Sequence, residues 1–213
     1  MKDKNTIGIY KYRSCNIESL KNALNIIESS YQVSENFNDL SKFTKIIIPG
    51  VGNMKNIHQD EIKDLSKEIF SYCQNGGLIY GICLGLQMLF DYSEESEMKT
   101  LGLLKGNTIS VRKKFEINLN VNFNNLNFEK KHYENHMINS LFKDIDKDSN
   151  FYFLHSYYCD CSDQDCIIIN SSVKNSLMPS MFVKKNILGT QFHPELSKTV
   201  GIKFLKNFSN LNI

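Results

Sequence analysis

The sequence has no tryptophan and only three prolines in 213 residues, so most of the usual loop markers are missing. No run approaches the ~18–20 consecutive apolar residues that a membrane-spanning helix needs. The opening residues, MKDKNTIGIY, carry lysines but no apolar stretch long enough for a secretory signal and no small-residue cleavage site, which predicts a cytoplasmic protein. Excess charge of one sign is also missing. Lys+Arg 25 against Asp+Glu 23 leaves +2, so bulk electrostatics point to neither nucleic acid nor a membrane. The six cysteines read as reduced thiols in such a compartment, not as a disulfide framework. Cys159, Cys161 and Cys166 do not have the spacing of structural zinc sites, and no histidine follows at ligand distance, so neither a metal nor a cofactor is expected.

A hydrophobic share of 41% is enough for one large core, and no repeat or linker divides the chain. Residues 6–10, 32–33, 45–48 and 78–81 read as strands, and residues 17–27 and 57–74 as helices. Ile62, Leu65 and Ile69 form the inner stripe of the second helix, and Gly76-Gly77 marks its end. Residues 108–112, 117–123, 151–158, 166–173, 180–184 and 187–192 look extended, and residues 197–208 form a closing helix. The strands from 151 onward are close enough together to pair antiparallel. The order predicts an α/β fold, doubly wound with a mostly parallel sheet and added antiparallel strands.

Gly81-Ile82-Cys83-Leu84-Gly85 falls at a strand-to-helix turn. Glycines two residues to either side of a cysteine suit a tight, strained elbow that lifts the sulfur to a helix N-terminus, where free amides favour a thiolate. A buried structural cysteine is the competing reading. Further on, Phe192-His193-Pro194-Glu195 would, if extended, place His193 and Glu195 on one face, with Pro194 restricting the backbone before it. A carboxylate there can fix the imidazole tautomer, which supplies the base and orienter of a nucleophilic triad. A surface histidine beside an ordinary glutamate would look the same. Pro49-Gly50-Val51-Gly52 ends a strand, and its N–H groups, with that of Leu84, can form an oxyanion site. A plain turn or a phosphate cradle is the alternative, though the spacing fits neither phosphate-binding fingerprint.

Taken together, Gly81-Ile82-Cys83-Leu84-Gly85-Leu86-Gln87, Pro49-Gly50-Val51-Gly52 and Gln191-Phe192-His193-Pro194-Glu195 resemble the signature stretches of class I (triad) glutamine amidotransferases. Phe151-Tyr152-Phe153-Leu154-His155-Ser156-Tyr157-Tyr158 is similar to the glutaminase subunits of imidazole glycerol phosphate synthase. The resemblance runs from the first strand to the last helix and implies one glutamine amidotransferase domain over residues 1–213. It implies that Cys83 attacks glutamine to form a thioester, that His193 held by Glu195 moves protons, and that Gly52 and Leu84 line the oxyanion site. It also implies that Gly50, Gln87, Glu95, Ser156 and Tyr157 contact the bound glutamine. The implied partner is a (β/α)8-barrel synthase subunit in a heterodimer. That partner would receive ammonia through a tunnel and make imidazole glycerol phosphate and an aminoimidazole carboxamide ribotide for histidine biosynthesis.

Two stretches depart from the family pattern. The Asp-Tyr-Gly-x-Gly-Asn turn is replaced by Lys11-Tyr12-Arg13-Ser14-Cys15-Asn16, and the partner-facing His-x-Gly-Trp-Asn by Asn120-Val121-Asn122-Phe123-Asn124. The first loses two conformationally permissive glycines, and the second loses an interface aromatic with its N–H donor. This keeps a second reading open: a paralogue that supplies ammonia for amidino-sugar biosynthesis on cell-surface glycans. A stand-alone γ-glutamyl hydrolase or peptidase of the same fold is the reading from another class.

Overall fold

The computed structural model describes residues 2–13 and 15–212. Its first half alternates strand and helix: β1 (Asp3–Tyr10), α1 (Glu18–Ile26), β2 (Ser30–Ser34), β3 (Phe43–Ile48), α2 (Gln59–Gln74), β4 (Leu78–Ile82) and α3 (Leu84–Met88). Leu20, Ala23 and Leu24 of α1, and Ile62, Leu65, Ile69 and Tyr72 of α2, are the buried stripes at helical spacing that press on the sheet. Gly76 closes α2 at φ 76°, the left-handed conformation that glycine adopts without strain.

The second half is mostly strand: β5 (Tyr92–Ser93), β6 (Met98–Lys99), β7 (Gly106–Ser110), α4 (Val111–Phe115), β8 (Asn120–Asn127), α5 (His136–Leu141), β9 (Asn150–His155), β10 (Tyr157–Cys161), β11 (Ile167–Val173), β12 (Ser176–Lys184), β13 (Ile187–Thr190), β14 (Phe192–His193) and α6 (Lys198–Ser209). A ten-stranded sheet runs β14-β9-β8-β11-β12-β13-β4-β3-β1-β2, beside a four-stranded sheet β10-β7-β5-β6. The block β13-β4-β3-β1-β2 pairs parallel. From β13 to β14 by way of β12, β11, β8 and β9, every pairing is antiparallel. The expected doubly wound order thus forms one half of a mixed sheet, and the added antiparallel strands form the other.

Two extended readings are corrected. Residues 151–158 are not one strand. The chain breaks at Ser156, so β9 stays in the large sheet while β10 crosses to pair with β7. Residues 187–192 break at Gln191: β13 ends at Thr190 and β14 starts at Phe192, although the Gln191 N–H still donates to the carbonyl of its register partner Ser180 on β12. Neither break carries a glycine or proline to mark it. The strand expected at 117–123 lies at Asn120–Asn127, and the short β5–β6 hairpin gave no sequence signal.

Phe151, Phe153, Phe192 and Phe204 stack in the core beneath β9 and α6, with Phe151 and Phe192 ring centroids 4.4 Å apart. A β-carbon on Gly201 would lie 1.8 Å from the Pro194 carbonyl oxygen, so only glycine lets α6 press on the turn that follows β14. Among the described residues, no helix is long and apolar enough to cross a membrane.

Candidate active site

Parallel strands leave their carboxyl ends free for loops, and ligands of such sheets bind there. β3, β4 and β13 end together, with Ile48 paired to Gly81 and Thr190 to Ile82. Cys83 follows β4 directly at φ 49°, ψ −102°, a backbone strain that persists only when its surroundings hold it. The Cys83 N–H donates to the Thr190 carbonyl at 2.7 Å, and its own carbonyl accepts from Gln87 N at 3.0 Å. The glycines that frame it are required sterically: a β-carbon on Gly81 would come within 2.7 Å of the Gly85 oxygen.

His193 reaches the back of this elbow from β14. Its Nδ1 lies 2.7 Å from Glu195 Oε1, and both side chains are nearly buried. The route differs from the expected shared strand face. β14 ends at His193, and residues Pro194–Leu196 form a 3-10 turn that folds the carboxylate back onto the ring. Ser197 fixes that turn by donating to the His193 carbonyl and accepting from Tyr152 N. Burial alone would lower the His193 pKa. The charge of Cys83 and that of Glu195, with hydrogen bonds to both, carry it well above the usual imidazole value. Those causes favour the protonated imidazole at His193.

A cavity of about 260 Å³ opens in front of Cys83. Gly52, Leu84, Gln87, Glu95, Ser156 and Tyr157, all singled out from the sequence, line it together with Cys83. Gly50 does not line it; its backbone backs the wall, against Ile82 O and Leu84 N. Glu95 Oε2 accepts from Met54 N at 3.1 Å, and burial raises its carboxyl pKa against the pull of that N–H and of Lys55. Tyr12, from the divergent 11–16 stretch, donates from its buried hydroxyl to the Pro49 carbonyl at 3.1 Å and so braces the glycine loop; Ser14 of that stretch lies outside the described residues. A larger groove of about 580 Å³ between the start of β1 and α2 contains none of these residues.

Two polar site residues were not singled out from the sequence. Gln191, wholly buried, donates from Nε2 to Cys83 Sγ at 3.5 Å. His155 lines the cavity and is held between Asn120 Nδ2, 2.9 Å from its Nε2, and the Tyr157 carbonyl, 2.8 Å from its Nδ1. Gln191 and His155 stood inside strings already noted, but their partners come from strand breaks that no local pattern marks. Leu119 and Leu154 rim the cavity, and with Val121, Phe123 and Leu196 they are exposed apolar side chains.

The class of protein follows from comparison with known sequences. The family model "Glutamine amidotransferase class-I" matches residues 10–210, and the chain belongs to that family of enzymes. It is 34% identical over 206 residues to the "Imidazole glycerol phosphate synthase subunit HisH" of Methanocaldococcus jannaschii, covering 96% of this chain and 99% of that one. The protein of the same name from Bacillus cereus is 34% identical over 207 residues, covering 96% of this chain and 94% of that one. The "Imidazole glycerol phosphate synthase subunit HisH 2" of Methanococcus maripaludis is 34% identical over 209 residues, covering 95% and 98%. Among solved structures, a chain of "Structure of PurLQS from Thermotoga maritima" superposes with a TM-score of 0.68 at 19% identity, over 99% of both chains. One titled "Crystal structure of glutamine amidotransferase" gives 0.68 at 13%, over 96% of this chain and 99% of that one. These two share the fold.

Proposed function

We propose that this chain is a cytoplasmic glutaminase subunit that hydrolyses glutamine and passes ammonia to a (β/α)8-barrel synthase subunit, which makes imidazole glycerol phosphate and an aminoimidazole carboxamide ribotide. The observation that carries the reading is the buried Cys83–His193–Glu195 constellation at the floor of a polar cavity. Glutamine lies in that cavity with its side-chain amide over the sulfur and its α-groups toward the Ser156–Tyr157 backbone; Gln87 and Glu95 flank it. Cys83 attacks the amide carbon as thiolate, and the carbonyl electrons move onto oxygen, facing the N–H groups of Gly52 and Leu84. The intermediate collapses, breaking the C–N bond as His193 gives its proton to the nitrogen, so ammonia leaves and a γ-glutamyl thioester remains. A water then loses a proton to His193 and adds to the thioester. Cys83 leaves as thiolate, and glutamate departs. Glu195 keeps the imidazole in one tautomer throughout.

Exposed Leu119 and Leu154 at the cavity, with Val121, paired to Leu154, and Phe123 on the same face of β8, support docking of the barrel subunit over the cavity mouth, since exposed apolar side chains beside a polar site suit a protein interface. Glutamate release from the chain alone is expected to be slow and to rise when the barrel subunit is added. Robust turnover without any partner would favour a stand-alone hydrolase. The divergent partner-facing stretch from Asn120 to Asn124 favours the second reading, in which the ammonia serves amidino-sugar synthesis. Complementation of a strain lacking the histidine-pathway glutaminase separates the two: growth supports histidine synthesis, and failure with the protein expressed supports the paralogue.

A further inference from the structure

Three side-chain amides and imidazoles around the thiol have their orientations dictated by one backbone atom. The Tyr157 carbonyl can only accept, and it takes two hydrogen bonds, from Gln87 Nε2 at 3.0 Å and from His155 Nδ1 at 2.8 Å. The first of these fixes which end of the Gln87 amide is nitrogen. Gln87 Nε2 also faces Gln191 Oε1 at 3.5 Å, and a donor requires an acceptor there, so the Gln191 amide is fixed in turn. Its nitrogen is left aimed at Cys83 Sγ, 3.5 Å away. A flipped Gln191 would set two NH₂ groups against each other and a carbonyl oxygen against the sulfur.

We propose that Gln191 is a further catalytic residue, the side-chain donor that stabilises negative charge on the Cys83 sulfur. α3 has only five residues, so its helix dipole is small and the charge needs other support. Gln191 has no net charge and is wholly buried; its N–H is desolvated and preorganised, the condition under which a donor to a charged group is strongest. The sulfur bears that charge twice, as the nucleophile before attack and as the leaving group when water opens the thioester. The inference rests on the glutaminase reading of Cys83. The titratable groups around the sulfur are His193, the buried Tyr12 and Cys159, and His155, Glu95 and Tyr157, which line the same cavity. None of them is altered by a substitution at 191.

The test is alkylation of Cys83 by iodoacetamide across pH, followed on the Cys83 peptide by mass spectrometry, with and without glutamine. Gln191→Met keeps the volume and removes the donor; Gln191→Asn keeps an amide too short to reach the sulfur, and so provides a second variant if the first folds poorly. In both, the alkylation profile is expected to move up by about one pH unit, so that the rate on its acidic limb falls about tenfold. The glutamine concentration that half-protects Cys83 should change less than twofold. Profiles that coincide with the parent overturn the proposal, as does loss of glutamine protection with an unmoved profile, which would place Gln191 in substrate binding. If Cys83 in the parent is neither alkylated nor protected by glutamine, the glutaminase reading itself fails.

Discussion

Gly50 and Gly85 meet backbone to backbone. A β-carbon on Gly50 would stand 2.6 Å from Gly85 N and 1.9 Å from Ile82 O, and one on Gly85 would stand 1.9 Å from Ile48 O. The glycine loop and the cysteine elbow are therefore one interlocked unit, since backbone cannot yield as a flexible side chain would. Gly50→Ala or Gly85→Ala should each destabilise the protein by about 3 kcal/mol, an overpacking cost at the upper end of the usual range. Chemical denaturation measures it; a loss under about 1 kcal/mol would mean the loop can lift off the elbow.

Cys83→Ala should abolish glutamate release while leaving the fold intact, because alanine keeps the β-carbon that the elbow already accommodates and removes only the sulfur. His193 is held well above its usual pKa against burial, which lowers it, by Cys83 first and Glu195 next. Removing the sulfur therefore predicts an imidazole that titrates at lower pH than in the parent. Histidine NMR titration reads this directly, and an unchanged midpoint would sever the link between the two side chains.

His155 is the opposite case. Burial, helped by the charge of His193, pushes its pKa down from 6.5 to about 4, against the hydrogen bond to the Tyr157 carbonyl. The unfolded chain binds a proton near pH 6.5, whereas the folded protein does not until about pH 4. The stability tied to neutral His155 is thus fully present above pH 6.5 and drains as pH falls. Between pH 6.5 and 5 it should shrink by about 2 kcal/mol. His155→Gln removes this dependence, so urea denaturation should show the gap between parent and variant narrowing from pH 7 to pH 5. A constant gap would contradict the neutral assignment.

Phe123 and Val121 lie on one face of β8, both exposed, with the Lys198 ammonium 5.0 Å from the Phe123 ring centre. If the barrel subunit docks there, Phe123→Asp should weaken capture of that subunit at least about tenfold, as loss of an aromatic anchor does. Titration calorimetry with the co-purifying barrel subunit gives the number, and unchanged affinity would move the docking face elsewhere.

The elbow was legible because its chemistry is local: Gly81 and Gly85 sit where a strained turn cannot carry side chains, and the sequence states that spacing outright. His193 and Glu195 were legible as a pair, but for the wrong reason. Two residues apart on a strand also describes two residues apart across a 3-10 turn, and the contacts that favour the turn, Gly201 against Pro194 and the Ser197 hydroxyl on the His193 carbonyl, come from outside that spacing. Gln191, Asn120 and His155 were not legible. Their roles come from β8 pairing with β9, and from β13 and β9 breaking off where no glycine or proline stands. The polar stretch between Phe115 and Asn150 hid α5 and the true span of β8, because its apolar residues are too sparse to show a period.

The root of the amide arrangement is a peptide oxygen, that of Tyr157. No replacement of the residue 157 side chain can take it away. β8 meanwhile presents Val121 and Phe123 outward and meets this arrangement through Asn120. Its outer face is thus free to diverge, and a lineage can change what it docks with while inheriting the thiol and its surroundings intact.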